Sequence, residues 1–348
     1  MLLSDLTSPV NRTYYYDHPV EARFLLSHFG PQPVEGATLE WKLVCEGKTV
    51  SGGRSEDIVA ARYALSEIGN IRFTCPVLAE AKRMTLHAEL KGEDIEASNS
   101  WPLWFFPDNQ WLELTQGEVV SRLDLPERLL RRYPFVRAEK SQDCGEALRI
   151  TDRLGENLNF LASGGRVMLV KPRELPSIVG RFWLGWWNPG WGNQGAIVTD
   201  HPALARFPHT EFVGMEFQAL IGGKIDDMYG LSDLEARPER VAAGYVRDHE
   251  SVAIEYKLLP FSVDRIVLGL TWNHVGSSDG AKAISYLFEL KVGKGKLLVV
   301  GFDMLGPLPE QEWMFDCLMG HCLSDSFDPR SKVGTREIRE WLDGGCRE

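Results

Sequence analysis

The residues whose chemistry is most concentrated are aromatic. Arg181-Phe182-Trp183-Leu184-Gly185-Trp186-Trp187-Asn188-Pro189-Gly190-Trp191 holds four of the chain's eleven tryptophans within nine residues. Gly185, Pro189, Gly190 and Gly192 break any regular period, so the segment reads as a loop. Sugars lay their C–H faces on flat rings, and Asn188, Asn193 and Gln194 could bond hydroxyls. Trp183, Trp186, Trp187 and Trp191 are therefore the candidate glycan contacts. The competing reading is packing against the rest of the protein or a partner chain, where Trp is enriched.

Other constellations are weaker. Gly276-Ser277-Ser278-Asp279-Gly280 fits G-x-S-x-G, and Asp303 and His321 follow in the chain order of a hydrolase triad. That elbow needs a helix directly after the serine, whereas Ala281 to Leu290 ends in β-like residues. Ser-Ser-Asp-Gly is also ordinary turn composition. Gly293-Lys294-Gly295-Lys296 lacks the Ser/Thr of a phosphate-binding loop and reads as a hairpin turn. Cys317 and Cys322 flank His321, too few ligands for a tetrahedral zinc site. His201 and His209 could be polar contacts in a cleft, but a lone histidine is seldom a ligand. No metal and no cofactor is expected.

These groups need elements to hold them. In the first third, Val20, Ala22, Phe24 and Leu26 alternate with Glu21, Arg23 and Leu25. The same spacing recurs at Leu39, Trp41 and Leu43, then Ile71, Phe73 and Cys75, then Met84, Leu86, Ala88 and Leu90. Period two marks half-buried antiparallel strands. Turn signals at Gly30-Pro31, Glu46-Gly47, Ser51-Gly52-Gly53 and Lys91-Gly92 separate them. A β-sandwich over residues 1–115 is predicted.

The pattern then changes. Glu118 to Leu123 reads as a short strand and Pro126 to Arg132 as a helix. Ile150, Leu154, Leu158 and Leu161 recur at helical spacing until Gly164-Gly165. Val167 to Val170, Ile266 to Leu270, Tyr286 to Val292 and Leu297 to Val300 read as strands, the first as one buried on both faces. Pro309 to about Cys322 reads as a helix, and Ile338, Trp341 and Leu342 mark a last one. Strand–helix–strand order predicts a parallel α/β domain over 116–330, followed by a helical tail over 331–348.

The chain has 348 residues, 44% hydrophobic and 25% charged, with a formal net charge of −11, which suits two globular domains. That charge argues against nucleic acid and against an anionic membrane surface. Six scattered cysteines without a C-x-x-C pair argue against a disulfide scaffold. No signal peptide is visible at Met1, and no apolar stretch reaches the ~20 residues of a membrane span. If Met1 is the native start, a cytoplasmic protein is expected.

Three stretches resemble the C-terminal modules of family 2 glycoside hydrolases, the β-galactosidase-like enzymes. Leu39-Glu40-Trp41-Lys42-Leu43-Val44, with Ser51-Gly52-Gly53 and Asn99-Ser100-Trp101-Pro102-Leu103-Trp104, resembles the immunoglobulin-like domain that follows the catalytic barrel. Asp200-His201-Pro202 through Phe207-Pro208, and Leu287-Phe288-Glu289 through Val299 ending in Asp303, resemble a module similar to class I glutamine amidotransferases and to β-galactosidase trimerisation domains. The resemblance implies an immunoglobulin-like sandwich followed by a flavodoxin-like domain. Its partners would be an oligosaccharide, a catalytic glycosidase chain, or further copies of the chain itself.

Departures from those enzymes bear on activity. A catalytic barrel needs about 250 residues. No strand-end glutamate pair suggests two carboxylates about 5–5.5 Å apart; Glu211 and Glu216 are merely near in sequence. An amidotransferase would carry a cysteine nucleophile on an elbow. Cys144, the best candidate, lacks the preceding glycine, and Cys45, Cys75 and Cys346 lie far from any elbow. The expectation is a non-catalytic accessory part of a glycosidase system. The alternatives are a free-standing serine hydrolase using Ser278 and a pure protein-interaction module.

Overall fold

The computed structural model describes residues 1–6, 11–108, 119–133, 136–138, 148–180, 196–221, 251–272 and 281–344. The chain divides into two compact units, Met1–Asn109 and Gln110–Glu348. Among the described residues strand outweighs helix, 46% to 20%, chiefly because the described elements of the first unit are all strands.

The first unit contains β1 (Leu2–Asp5), β2 (Thr13–Tyr15), β3 (Pro19–His28), β4 (Val34–Cys45), β5 (Lys48–Ala60), β6 (Ala64–Thr74), β7 (Lys82–Lys91) and β8 (Glu96–Phe106). They form a three-stranded sheet, β1-β3-β6, and a five-stranded sheet, β2-β8-β7-β4-β5. The alternating sets do what their period requires. Val20, Ala22, Phe24 and Leu26 of β3 and Met84, Leu86, Ala88 and Leu90 of β7 are buried in one shared core. Aromatic pairs cross between the sheets: Trp41 lies 5.5 Å from Phe73, and Phe24 5.7 Å from Trp101.

Two turn readings divide. Glu46 and Gly47 both have positive φ and join Cys45 to Lys48 as a two-residue hairpin turn. Ser51-Gly52-Gly53, expected as a turn, lies inside β5 instead. Gly53 sits opposite Trp41, and a Cβ there would stand 2.7 Å from the indole Nε1. The glycine serves close approach across the strand pair, not chain reversal.

The described strands of the second unit are β9 (Val119–Ser121), β10 (Val136–Ala138), β11 (Leu148–Thr151), β12 (Arg166–Val170), β13 (Ser177–Val179), β14 (Ile197–Val198), β15 (Val252–Ile254), β16 (Asp264–Trp272), β17 (Ala281–Val292), β18 (Gly295–Val300) and β19 (Lys332–Val333). Its described α-helices are α1 (Glu127–Arg132), α2 (Leu158–Ala162), α3 (Gln218–Ile221), α4 (Pro309–Leu323) and α5 (Thr335–Gly344). One mixed sheet runs β10-β9-β11-β12-β18-β17-β15-β13. Pairing is parallel from β10 to β18 and antiparallel from β18 through β17 to β15 and to β16.

A flavodoxin-like domain, with its parallel sheet and helical crossovers, is not supported. The hairpin at Gly293-Lys294 sends β18 back antiparallel to β17, and β17 pairs antiparallel with β15 and β16 as well. The run beginning at Ile150 also corrects the helix reading. Ile150 belongs to β11, and the helical turns begin only at Gly155. The C-terminal stretch belongs to the second unit: β19 pairs with β17, and Ile338 of α5 is buried with Leu158 and Leu161 of α2 against Phe288, Leu290 and Val299.

Alternation on β17 then decides the other face. Phe288, Leu290 and Val292 point toward α2 and α5, so Glu289 points the opposite way, where α4 lies. Helix α4 is buried almost throughout, polar residues included. Burial of Gln311, Glu312, Asp316 and His321 is costly unless each finds a partner. Gln311 Nε2 donates to the Asp303 carbonyl (3.0 Å), Arg128 and Arg132 each reach Glu312 at 3.1 Å, and Arg132 reaches Asp316 at 3.3 Å.

Candidate functional site

His321, in the last turn of α4, finds its partner in the interior. His201, Glu289 and His321 bring one ligand-type atom each to within 4.8 Å of one another. They arrive from three elements. His201 caps the 3-10 turn Pro202–Leu204 after β14, Glu289 hangs from β17, and His321 comes from α4. Glu289 Oε2 is 2.8 Å from His321 Nε2, and Oε1 is 3.5 Å from His201 Nε2. The two rings stand 5.4 Å apart at 74°.

Two imidazoles and a carboxylate suit a divalent transition metal. The hydrogen bonds of this arrangement serve a different use, and a metal would first have to displace them. The backbone N–H of Ala203 donates to His201 Nδ1 at 3.2 Å, so a neutral ring carries its proton on Nε2. A protonated nitrogen has no lone pair for a metal, and a ligating histidine normally donates from its other nitrogen. Nε2 thus turns its proton toward Glu289 Oε1, 3.5 Å away.

The His321 side follows the same logic. Ser324 Oγ donates to the His321 carbonyl (2.9 Å), which uses its one proton. Ser326 Oγ, 2.6 Å away, then donates to Ser324 and can accept from His321 Nδ1 at 3.2 Å. His321 Nε2 and Glu289 Oε2 are 2.8 Å apart, within hydrogen-bond distance. Burial pushes the Glu289 carboxyl up, but hydrogen bonds and charge from His201 and His321 outweigh it and hold the group below the ordinary glutamate range. Every ring nitrogen and both carboxylate oxygens are engaged. The cluster is a polar clamp joining three elements, and no nitrogen of it is left for a substrate.

The carboxyl ends of the parallel strands carry a second charged pair. Lys171, directly after β12, has φ +46, and its Nζ is 2.8 Å from Asp303 Oδ1 beyond β18. A left-handed lysine is uncommon. The turn at this strand end thus carries a lysine paired to an acid.

The residues singled out from sequence fare unevenly. Trp183, Trp186, Trp187, Trp191, Cys144 and Ser278 lie outside the described residues. Asp303 and His321, the other members of the suggested triad, are held by Lys171 and Glu289 respectively. His209 is half-buried and bonds the Thr210 carbonyl. Lys296 lies 3.7 Å from Asp328 at the base of the hairpin. Burial raises the thiols of Cys75 (to about 12), Cys317 and Cys322, so none is a ready nucleophile. Glu289 was not singled out. Its signal was available: an acid within the apolar run Leu287-Phe288-Glu289-Leu290 must find a partner when the strand is buried.

Comparison with known proteins adds two family models. A domain of unknown function (DUF8488) matches residues 18–107, and another (DUF8487) matches residues 252–343. No curated protein matches. Among solved structures, a CARDB domain from Pyrococcus furiosus is similar at 6% identity and TM-score 0.23, over 30% of this chain and 90% of that one. A β-glucuronidase from Parabacteroides merdae is similar at 15% identity and TM-score 0.21, over 44% of this chain and 22% of that one. A putative β-galactosidase from Bacteroides fragilis is similar at 11% and 0.21, over 42% and 28%. The chain thus spans less than a third of either glycosidase. Glycoside hydrolases are among the neighbours at low identity and coverage; membership of family 2 is not confirmed. No helix among the described residues is long and apolar enough to cross a membrane.

Proposed function

We propose that this chain is a carbohydrate-associated accessory protein that does not cleave glycosides by itself. The observation that supports the reading is that several buried carboxylates of the described residues face internal cationic or imidazole groups. Glu289 lies between two imidazoles, Asp303 meets Lys171, and Glu312 and Asp316 meet Arg132. Glycosidic cleavage needs two carboxyl groups facing one bond, one as acid and one as base or nucleophile. Groups committed to internal cations do not serve that role. The carbohydrate side of the reading is supported by the sequence resemblance to family 2 modules, with the immunoglobulin-like module first and the amidotransferase-like one second. The oligosaccharide contacts would include Trp183, Trp186, Trp187 and Trp191. A catalytic glycosidase chain, or further copies of this chain, would supply what the accessory part lacks.

Two assays test this. The purified chain should leave a panel of chromogenic glycosides intact. An oligosaccharide panel should give a saturable shift of tryptophan emission, lost in Trp186→Ala or Trp187→Ala. Turnover of any glycoside that survives repurification and is abolished by a single carboxylate substitution would overturn the non-catalytic half. The absence of binding to every saccharide would overturn the other half. The serine-hydrolase reading is disfavoured because Asp303 and His321 are bonded elsewhere. Labelling of Ser278 by a fluorophosphonate would restore it.

A further inference from the structure

We propose that one end of the first unit is a stacking ledge for an acidic oligosaccharide, built from Phe29, Arg62 and Tyr63. The proposal rests on the carbohydrate reading above and names a place and a ligand class for it.

Topology brings these residues together. β3 and β6 pair as far as His28 and Ala64, so the residues just beyond, Phe29 and Tyr63, emerge side by side. The Tyr63 N–H donates to the His28 carbonyl at 2.7 Å. The ring centres lie 6.1 Å apart at 61°. Yet both residues face solvent, Phe29 at 73% exposure and Tyr63 at 66%. Two large rings placed in contact and then left in water make a surface built for a partner.

The ledge is held rigid without a ligand. Tyr63 sits at φ +54, a backbone state that bulky residues rarely adopt and that points to a local demand on its position. Arg62 Nε donates to the Gly30 carbonyl (3.1 Å) and Nη2 to Tyr63 Oη (2.6 Å), tying the two turns to each other. The guanidinium carbon lies 4.6 Å from the Tyr63 ring centre. His28 Nε2 and the Gln32 carbonyl, 2.7 Å apart, close the loop that carries Phe29. Arg62 and the Tyr63 hydroxyl are thus tethered before any ligand arrives, which lowers the ordering cost of binding.

Charge selects the ligand class. Arg23, Arg54 and Arg72 of the same unit each pair with glutamate. Arg62 has no carboxylate within ion-pair distance among the described residues, and its Nη1 hydrogens make no internal bond. An immobilised guanidinium presents a fork that matches a carboxylate. Beside two rings that accept a C–H face, that fork fits the carboxylate of a uronic acid within a chain of sugars.

The test is calorimetric titration of the full chain with tetramers of galacturonic acid and of mannuronic acid, and with neutral cellotetraose. At least one acidic tetramer should bind saturably and more tightly than cellotetraose. Phe29→Ala and Tyr63→Gly should each weaken that binding about tenfold or more. Arg62→Gln should remove the preference for the acidic sugar. Tyr63→Gly should not lower the melting temperature of the first unit, since glycine accepts the positive φ, so its loss of binding reports the ring. Saccharide binding that all three variants retain would overturn the ledge and leave the carbohydrate reading standing. Failure of the wild-type chain to bind any of the tetramers overturns the ledge, and failure across the wider glycan panel overturns that reading too. Equal affinity for acidic and neutral tetramers, or self-association abolished by Phe29→Ala, would also overturn the proposal.

Discussion

Substitution at Glu289 separates charge from hydrogen bonding in the clamp. Glutamine keeps the shape. Its carbonyl can accept from His201 Nε2, whose proton is fixed there by the Ala203 N–H on Nδ1. Its amide can donate to His321 Nε2 if that ring keeps its proton on Nδ1, toward Ser326. All partners stay satisfied without an ion, so the expected cost is about 1 kcal/mol, the scale of one net hydrogen bond. Alanine instead leaves two enclosed imidazoles facing an empty space, and the expected loss is about 3–5 kcal/mol, the scale of breaking a buried pair. Hydrogen exchange of the β17 and β18 amides reads this in the second unit alone. The sign of the pH effect follows from the lowered Glu289 carboxyl. A folded value below the unfolded one gives stability that is complete above the unfolded value and lost as pH falls through the folded one. The gap between wild type and Glu289→Gln should therefore close on acidification below about pH 4.3. Alanine costing less than about 1 kcal/mol, or glutamine costing as much as alanine, would refute the satisfied-clamp argument.

Three further outcomes follow from the same coordinates. Added zinc or cobalt should leave β17 exchange unchanged and give no cobalt d–d absorption, because His201 presents a proton and not a lone pair; a stoichiometric tetrahedral cobalt spectrum lost in His321→Ala would contradict this. Gly53→Ala should cost about 1–3 kcal/mol in urea denaturation of the first unit, since the new Cβ meets Trp41 Nε1 at 2.7 Å; an unchanged midpoint would show that the indole can move aside freely. Asp316 is raised to about 7 by burial, against the pull of Arg132, and its Oδ1 has no partner. A carboxyl raised on folding destabilises as pH climbs from the unfolded range, about 3.9, through the folded value. The stability of Asp316→Asn relative to wild type should therefore rise between pH 4 and about pH 7, and a difference independent of pH would disprove the assignment.

Much of the first unit was legible from period two. Strands β3, β4, β6 and β7 carry the apolar sets read from the sequence, because a half-buried strand must present alternate residues to one core. The sequence also located α4 and the β17–β18 hairpin, since Pro309 and Gly293-Lys294 act through local backbone geometry. It did not locate what depends on partners. Ser51-Gly52-Gly53 looked like a turn because glycine's local signal is the same whether the chain reverses or a distant indole needs room. Val167 to Val170 does lie in β12, parallel to both neighbours, but the runs at Ile266 and Tyr286, read as members of the same parallel sheet, pair antiparallel, because an apolar run does not record the direction of the neighbouring strand. His201, Glu289 and His321 lie 88 and 32 residues apart in the chain, so no motif spacing joins them. Only the folded sheet, with Glu289 forced to the α4 face by alternation on β17, makes them one cluster. The proton positions that turn a metal-like trio into a closed clamp rest on a backbone N–H and two serines, and these bonds exist only once the chain has folded.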